Sequence, residues 1–190
     1  GSEMCIRDRY YMLKDIVKTL ETALPLGLLA GALIFMLKRY VFKIDKPKLY
    51  AVCEIAFWAY VFILLYRTVI GREPTYDPLS EVWQGWTIFR RRWTGLDYQV
   101  IGNILMFIPF GALLLLGFEK LSASTKKAIV CAAAVSFGYS LFVETLQLVT
   151  KRGTFQISDL VFNTAGGTIG AIIYICLLYT SDAADEARSV

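Results

Sequence analysis

Seven polar residues stand in otherwise apolar sequence at a spacing that could do chemistry: Arg67, Asn103, Glu144, Gln147, Arg152, Asp159 and Asn163. Glu144 and Gln147 are three apart, and Asp159 and Asn163 are four apart, so on helices each pair shares a face. Two carboxylates could divide the roles of general acid and base, or could hold a divalent cation. Two guanidinium groups, planar and permanently charged, suit a phosphate or carboxylate ligand. Ser158 has no histidine or lysine base within its motif, so no activated nucleophile is evident.

The elements that must position these residues follow from composition. The chain has 190 residues, 56% apolar and only 19% charged, against roughly 45–50% and about 25% in an ordinary soluble domain. That balance excludes a soluble globular domain, a disordered chain and a nucleic-acid-binding protein. The net charge is +4. The basic residues lie between apolar runs, which suits contact with anionic lipid head groups. There is no histidine, which removes Ser-His-Asp and Cys-His catalysis and histidine-ligated zinc. The cysteines Cys5, Cys53, Cys131 and Cys176 form no C-x-x-C pair and read as small packing residues. No cofactor and no dedicated set of metal ligands is expected.

A bilayer core about 30 Å thick needs about 20 apolar residues per helix. Five runs qualify, near 22–42, 49–70, 98–118, 128–150 and 157–177. The expected fold is an all-α integral membrane bundle of about five transmembrane helices. Residues 12–21 have an amphipathic pattern and read as a short interfacial helix or as an extension of the first span. Residues 1–11 and 178–190 resemble translated sequencing-adapter read-through, which would make Met12 the natural start. Lys38 and Arg39 can snorkel at the end of the first run. The connection Gly71–Asp97 carries Trp83, Trp86, Phe89 and Trp93 around Arg90, Arg91 and Arg92, and reads as a head-group anchor or a lid.

Alternating helix direction brings all seven polar residues toward one membrane face, with Glu54 alone near the other. A charge within a membrane helix costs at least about 2.5–3.5 kcal/mol on insertion scales, so such clustering calls for either mutual pairing or a pocket. The pairing reading joins Arg67 and Arg152 to Glu144 and Asp159. The pocket reading makes all seven residues ligand-binding. Gly166 and Gly170 form a G-x-x-x-G packing face, Gly27 and Gly31 a weaker one, and Pro109, beside Gly111, should kink the third helix.

Read in order, these residues resemble the VanZ-like family of bacterial membrane proteins. The resemblance rests on Arg67, then Asn103-x-x-x-Phe107-x-Pro109-x-Gly111, Glu144-x-x-Gln147, Arg152, and Ser158-Asp159-Leu160-x-x-Asn163-Thr164-x-Gly166-x-x-x-Gly170. Trp86-Thr87-Ile88-Phe89-Arg90 departs from the Asn-Leu-Ile-Pro-Phe-like segment frequent in the family. The resemblance implies a multi-pass protein of the bacterial cytoplasmic membrane. It also implies a link to teicoplanin resistance, and a pocket facing the outside, where glycopeptides act.

Charge counts barely separate the two orientations. The compact basic loops Lys38–Lys48 and Lys120–Lys127 favour a cytoplasmic location for themselves and an outward-facing polar end. The expected partners are membrane lipids, a lipid-linked wall precursor or a lipoglycopeptide, with no nucleic acid. An intramembrane lipid-modifying enzyme using Glu144 and Asp159 is the alternative. An ion-coupled carrier is weaker, because polar positions do not continue to the opposite face.

Overall fold

The computed structural model describes residues 2–41, 43, 48–87, 98–122 and 124–188. Five helices follow one another: α1 (Ser2–Tyr40), α2 (Lys48–Leu65), α3 (Tyr98–Gly117), α4 (Thr125–Thr150) and α5 (Ile157–Arg188). α2 continues into a π-helical turn, Tyr66–Ile70. Each helix holds a stretch long and apolar enough to cross a membrane. A helix satisfies its own backbone groups, which the bilayer interior requires. No strand is present among the described residues, only an isolated bridge between Pro74 and Arg152. Residues 12–21 and the first span form one continuous helix. α3 runs as one helix through Pro109.

Lipid tails give no hydrophobic drive to helix association, so close approach must supply it. α1 packs on α2, α2 on α3, and both α3 and α4 on α5. A Cβ added to Gly170 would lie 2.0 Å from the Ile108 carbonyl oxygen, and one added to Gly166 would lie 2.3 Å from that of Ile104. Gly111 meets the Gly167 carbonyl in the same way. The α3–α5 seam therefore consists of backbone touching backbone. Gly27 and Gly31 give α1 the same approach to α2 at Ala59 and Ile55.

The face of α4 toward α5 carries a small residue every fourth position. Ala128, Ala132, Ser136 and Ser140 are all fully buried, and Glu144 continues the row. Between α2, α3 and α4 lies an aromatic core. The rings of Phe57 and Phe110 are 5.3 Å apart, and those of Phe110 and Tyr139 stack at 5.1 Å. Large apolar side chains such as Leu29, Leu33, Val130, Val149 and Leu177 face outward. That is the expected arrangement when the solvent is hydrocarbon.

At the end of the bundle away from the polar cluster, Lys38 forms an ion pair with the buried Glu54 and lies 5.1 Å from the centre of the Phe118 ring. Lys38 therefore turns inward to a carboxylate, where snorkelling was expected. A buried anion close to a cation is the cheaper arrangement in low dielectric.

Candidate functional site

The site begins with the unusual end of α2. A π-helical turn takes about five residues where an α-helical turn takes four, and a helix end leaves carbonyls without N–H partners. Gly71 N–H closes on the Tyr66 carbonyl at 2.7 Å. Two side chains, one near the end of α4 and one in the turn after it, reach the next carbonyls. Gln147 donates its Nε2 to Thr68 O at 2.7 Å, and Arg152 donates Nη1 to Ile70 O at 2.9 Å. The α4 terminus allows this because Lys151 adopts the left-handed conformation (φ 53°) and Gly153 follows at φ 92°. That turn carries Arg152 back across the end of the helix.

The chain between Gly71 and Thr87 then crosses the α4–α5 connection and is bonded to it along its length. Thr75 N–H meets Lys151 O, Phe155 N–H meets Pro78 O, and Ile157 N–H meets Val82 O. Glu81 accepts from both Thr154 Oγ1 (2.8 Å) and Gln156 Nε2 (2.7 Å). Ser158 Oγ donates to Gln84 O at 2.7 Å. Gly85 sits at φ 78°, and a Cβ there would lie 2.6 Å from Ser158 Oγ. Trp83 and Trp86 are exposed, while Phe89, Arg90, Arg91, Arg92 and Trp93 of the expected anchor lie outside the described residues.

Beneath this cover is a small cavity of about 10 Å³, whose walls include Thr68, Arg72, Asn103, Glu144, Gln147, Asp159 and Asn163. Glu144 is buried and accepts the Gln156 N–H at 2.8 Å. Asp159 lies in the first turn of α5. The positive end of a helix favours anions, so both carboxylates are near the start of the same helix dipole. Asp159 and Arg72 are each within electrostatic reach of Glu144. Asn163 donates Nδ2 to Ser140 Oγ at 2.9 Å. Three buried polar atoms on the cavity-lining residues have no hydrogen-bond partner: Asn103 Nδ2, Gln147 Oε1 and Asn163 Oδ1. Unpartnered buried polar atoms each cost about 1–3 kcal/mol, and here they share one cavity.

The cavity adjoins an open groove of about 730 Å³, lined by Arg67, Thr68, Arg72, Gly102, Asn103 and Met106 among others. Thr68, Arg72, Asn103 and Met106 belong to both walls. On another side Tyr139 stands between the cavity and an apolar groove of about 460 Å³ that includes Trp58, Val61 and Phe110. Its hydroxyl donates to Val61 O at 2.7 Å.

Five of the seven polar residues singled out from sequence thus share the cavity wall: Asn103, Glu144, Gln147, Asp159 and Asn163. Arg67 lines the outer groove instead. Arg152 is not on the cavity wall. Its guanidinium bonds backbone carbonyls, so pairing it with the carboxylates, as the sequence suggested, does not describe this geometry. The cation on the cavity wall is Arg72, which sequence reading passed over because it lies in a loop and outside any periodic pattern. Thr68, Gln156 and Glu81 were likewise missed. The row Ala128-Ala132-Ser136-Ser140-Glu144 on α4 was a legible signal for the face toward α5.

Comparison with known proteins gives two matches. The sequence pattern of the VanZ/LLP1 family matches residues 55–179. Protein VanZ of Enterococcus faecium is 33% identical over 81 residues, covering 43% of this chain and 47% of that protein. The match spans about half the length of that curated relative. No solved structure matches.

Proposed function

This chain belongs to the VanZ/LLP1 family of multi-pass membrane proteins, and we propose that its polar end binds the phosphate-bearing head of an envelope amphiphile. The candidates are a membrane lipid or a lipid-linked wall precursor. Binding or altering such a molecule is the route by which the protein would change susceptibility to teicoplanin and related lipoglycopeptides. The observation that carries this reading is the groove of about 730 Å³ with Arg67 and Arg72 both on its wall. Two guanidinium groups at a membrane boundary are the natural partners of a phosphate, which they grip with paired N–H donors.

Orientation enters the same proposal. The basic loops at the opposite end of the bundle, Lys38–Lys48 and Lys120–Lys127, favour the cytoplasmic side. The groove would then face outward in the bacterial cytoplasmic membrane, beside the surface where wall precursors are displayed.

Expression in a teicoplanin-susceptible Gram-positive host tests the reading. Wild type should raise the inhibitory concentration. Arg67→Ala and Arg72→Ala, at matched membrane levels, should each lose most of that rise. Full activity in both variants would remove the groove from the function. No rise with well-inserted wild type would detach this chain from the resistance role.

A further inference from the structure

We infer that the apolar groove between α2 and α4 is a binding site for one acyl chain of an anionic glycerophospholipid, whose head group rests on Lys120, Lys126 and Lys127. The site belongs to the lysine-bearing half of the bundle. It does not depend on the reading given to the arginine groove.

Position is the first argument. The groove of about 460 Å³ has Phe110, Phe118 and Leu121 along its length, Trp58 of α2 on one side and Gly138 and Tyr139 of α4 on the other. α2 packs on α3, and α4 on α5, which leaves the groove open between α2 and α4. Phe118 lies beside the Lys38–Glu54 pair, at the boundary end of the bundle. Tyr139 closes the inner end, where its hydroxyl donates to Val61 O at 2.7 Å. Gly138 stands at the middle of the 26-residue helix α4. From Phe110 to Phe118 the helix rises about 12 Å, close to the roughly 15 Å of one leaflet in a hydrocarbon core about 30 Å thick. The groove therefore enters at one boundary and stops near the midplane, as a lipid chain does. A spanning helix of a second protein would need a furrow through the full thickness, and beyond Tyr139 α4 is tied to the end of α2 by Gln147.

Wall chemistry is the second. The lining residues are apolar or aromatic, and the Tyr139 hydroxyl is already bonded, so the guest is hydrocarbon. Gly138 points to a guest independently. Glycine weakens a helix interior relative to alanine. At Gly27, Gly31, Gly166 and Gly170 that loss is offset by the backbone of a neighbouring helix. A Cβ at Gly138 would meet nothing within 4 Å, so no described part of the chain requires its absence. Close approach of a ligand to the backbone does. The other described glycine with nothing near it, Gly102, lines the arginine groove.

Charge is the third. Leu121, at the mouth, belongs to the short helix Glu119–Leu121. Its N–H donates to Phe118 O at 2.8 Å, which holds the turn bearing Lys120 against the rim. Lys126 and Lys127 stand in the first turn of α4, after the cap residue Ser124. All three lysines are exposed, and residues 119–127 hold one acid, Glu119. A lysine near an anionic membrane surface adds roughly fivefold in affinity. The mouth therefore selects an anionic head group over a zwitterionic one.

The test uses the purified full chain with Trp83→Phe, Trp86→Phe and Trp93→Phe, which leaves Trp58, on the groove wall, as the only tryptophan. The protein is reconstituted in phosphatidylcholine bilayers. Trp58 fluorescence is then followed as phosphatidylglycerol or phosphatidylcholine with brominated acyl chains, which quench on contact, replaces part of the lipid. Half-maximal quenching is expected at a mole fraction of brominated phosphatidylglycerol at least about fivefold below that of brominated phosphatidylcholine, the worth of one lysine. Gly138→Leu fills the groove from an open position and should abolish the difference. The triple variant Lys120→Gln, Lys126→Gln, Lys127→Gln should abolish it too, by weakening phosphatidylglycerol alone. The substituted positions are exposed, so both variants should fold, as size-exclusion chromatography checks. Equal quenching by the two lipids in folded wild type overturns the proposal. So does an unchanged preference in either folded variant. A Trp58 that neither lipid quenches overturns it as well, and a crosslinked dimer in the same sample would then assign the groove to a second copy.

Discussion

Gln147 Nε2 lies 2.7 Å from the carbonyl oxygen of Thr68, a backbone group at the π-helical end of α2. This one contact ties α4 to α2 and fixes which end of the amide meets the cavity. Gln147→Leu removes the donor to Thr68 O and should destabilise the protein by about 1–3 kcal/mol, the cost of an orphaned buried carbonyl. Gln147→Glu should be worse, because a carboxylate would then face a carbonyl that cannot donate. Thermal unfolding in detergent ranks the two. A Glu variant as stable as wild type would refute the assigned amide orientation.

Arg72 and Arg152 should separate by experiment. Arg152 bonds Ile70 O, so Arg152→Ala should lower the unfolding midpoint. The folded fraction should bind phosphate-bearing lipid as wild type does. Arg72 is on the cavity wall, so Arg72→Ala should cut lipid binding about tenfold or more, the scale of one lost charge-assisted contact, with a smaller effect on the midpoint. Co-purified lipid per folded protein and unfolding curves measure both quantities. The reverse pattern would exchange the two roles.

The α3–α5 seam predicts a sharp contrast between glycines. Gly170→Val places a branched side chain against the Ile108 carbonyl, with its Cβ only 2.0 Å away. The helices must separate, and a loss at or above the roughly 1–3 kcal/mol of ordinary overpacking is expected. Gly102 has nothing within 4 Å of an added Cβ. Gly102→Ala should be neutral or gain the roughly 0.5–1 kcal/mol that alanine holds over glycine within a helix. Folded yield by size-exclusion chromatography distinguishes the two variants.

The Lys38–Glu54 pair should behave as a unit. Lys38→Met takes the cation from a carboxylate that is 1% exposed, and removing one partner of a buried pair costs about 3–5 kcal/mol. The double variant Lys38→Met with Glu54→Met should recover much of that loss, because apolar replacement of both partners is often near neutral. A double-mutant cycle by thermal unfolding reads the coupling. A double variant less stable than Lys38→Met alone would contradict it.

Glu81 holds two donors from the α4–α5 connection. Glu81→Ala should leave the five helices intact while residues 151–157 exchange their amide hydrogens faster. The expected local loss is about 1.5–3 kcal/mol, the range for hydrogen bonds to a charged group. Hydrogen exchange resolved by mass spectrometry tests this. Unchanged protection at 151–157 would mean that the backbone bonds to Pro78 O and Val82 O suffice.

Much of this molecule was legible in one dimension. Runs of about 20 apolar residues dictate five spans, because a bilayer leaves a chain of that composition few alternatives. Helix period and alternating direction bring Asn103, Glu144, Gln147, Asp159 and Asn163 to one end. Glycines four apart announce close seams. These are local properties, set by thickness, periodicity and side-chain size.

Other features were decided only in three dimensions. α2 ends in a π-helical turn, and two of its carbonyls are bonded by Gln147 of α4 and by Arg152 in the turn after α4, about 80 residues away in sequence. Arg152 therefore bonds backbone, and Arg72, in a loop without periodicity, takes the place on the cavity wall that sequence assigned to another arginine. Glu81 and Gln156 meet because two loops far apart in sequence cross over the same helix ends. A charge pattern states which groups are available. Which of them remain open to a ligand depends on which backbone groups the fold leaves without partners.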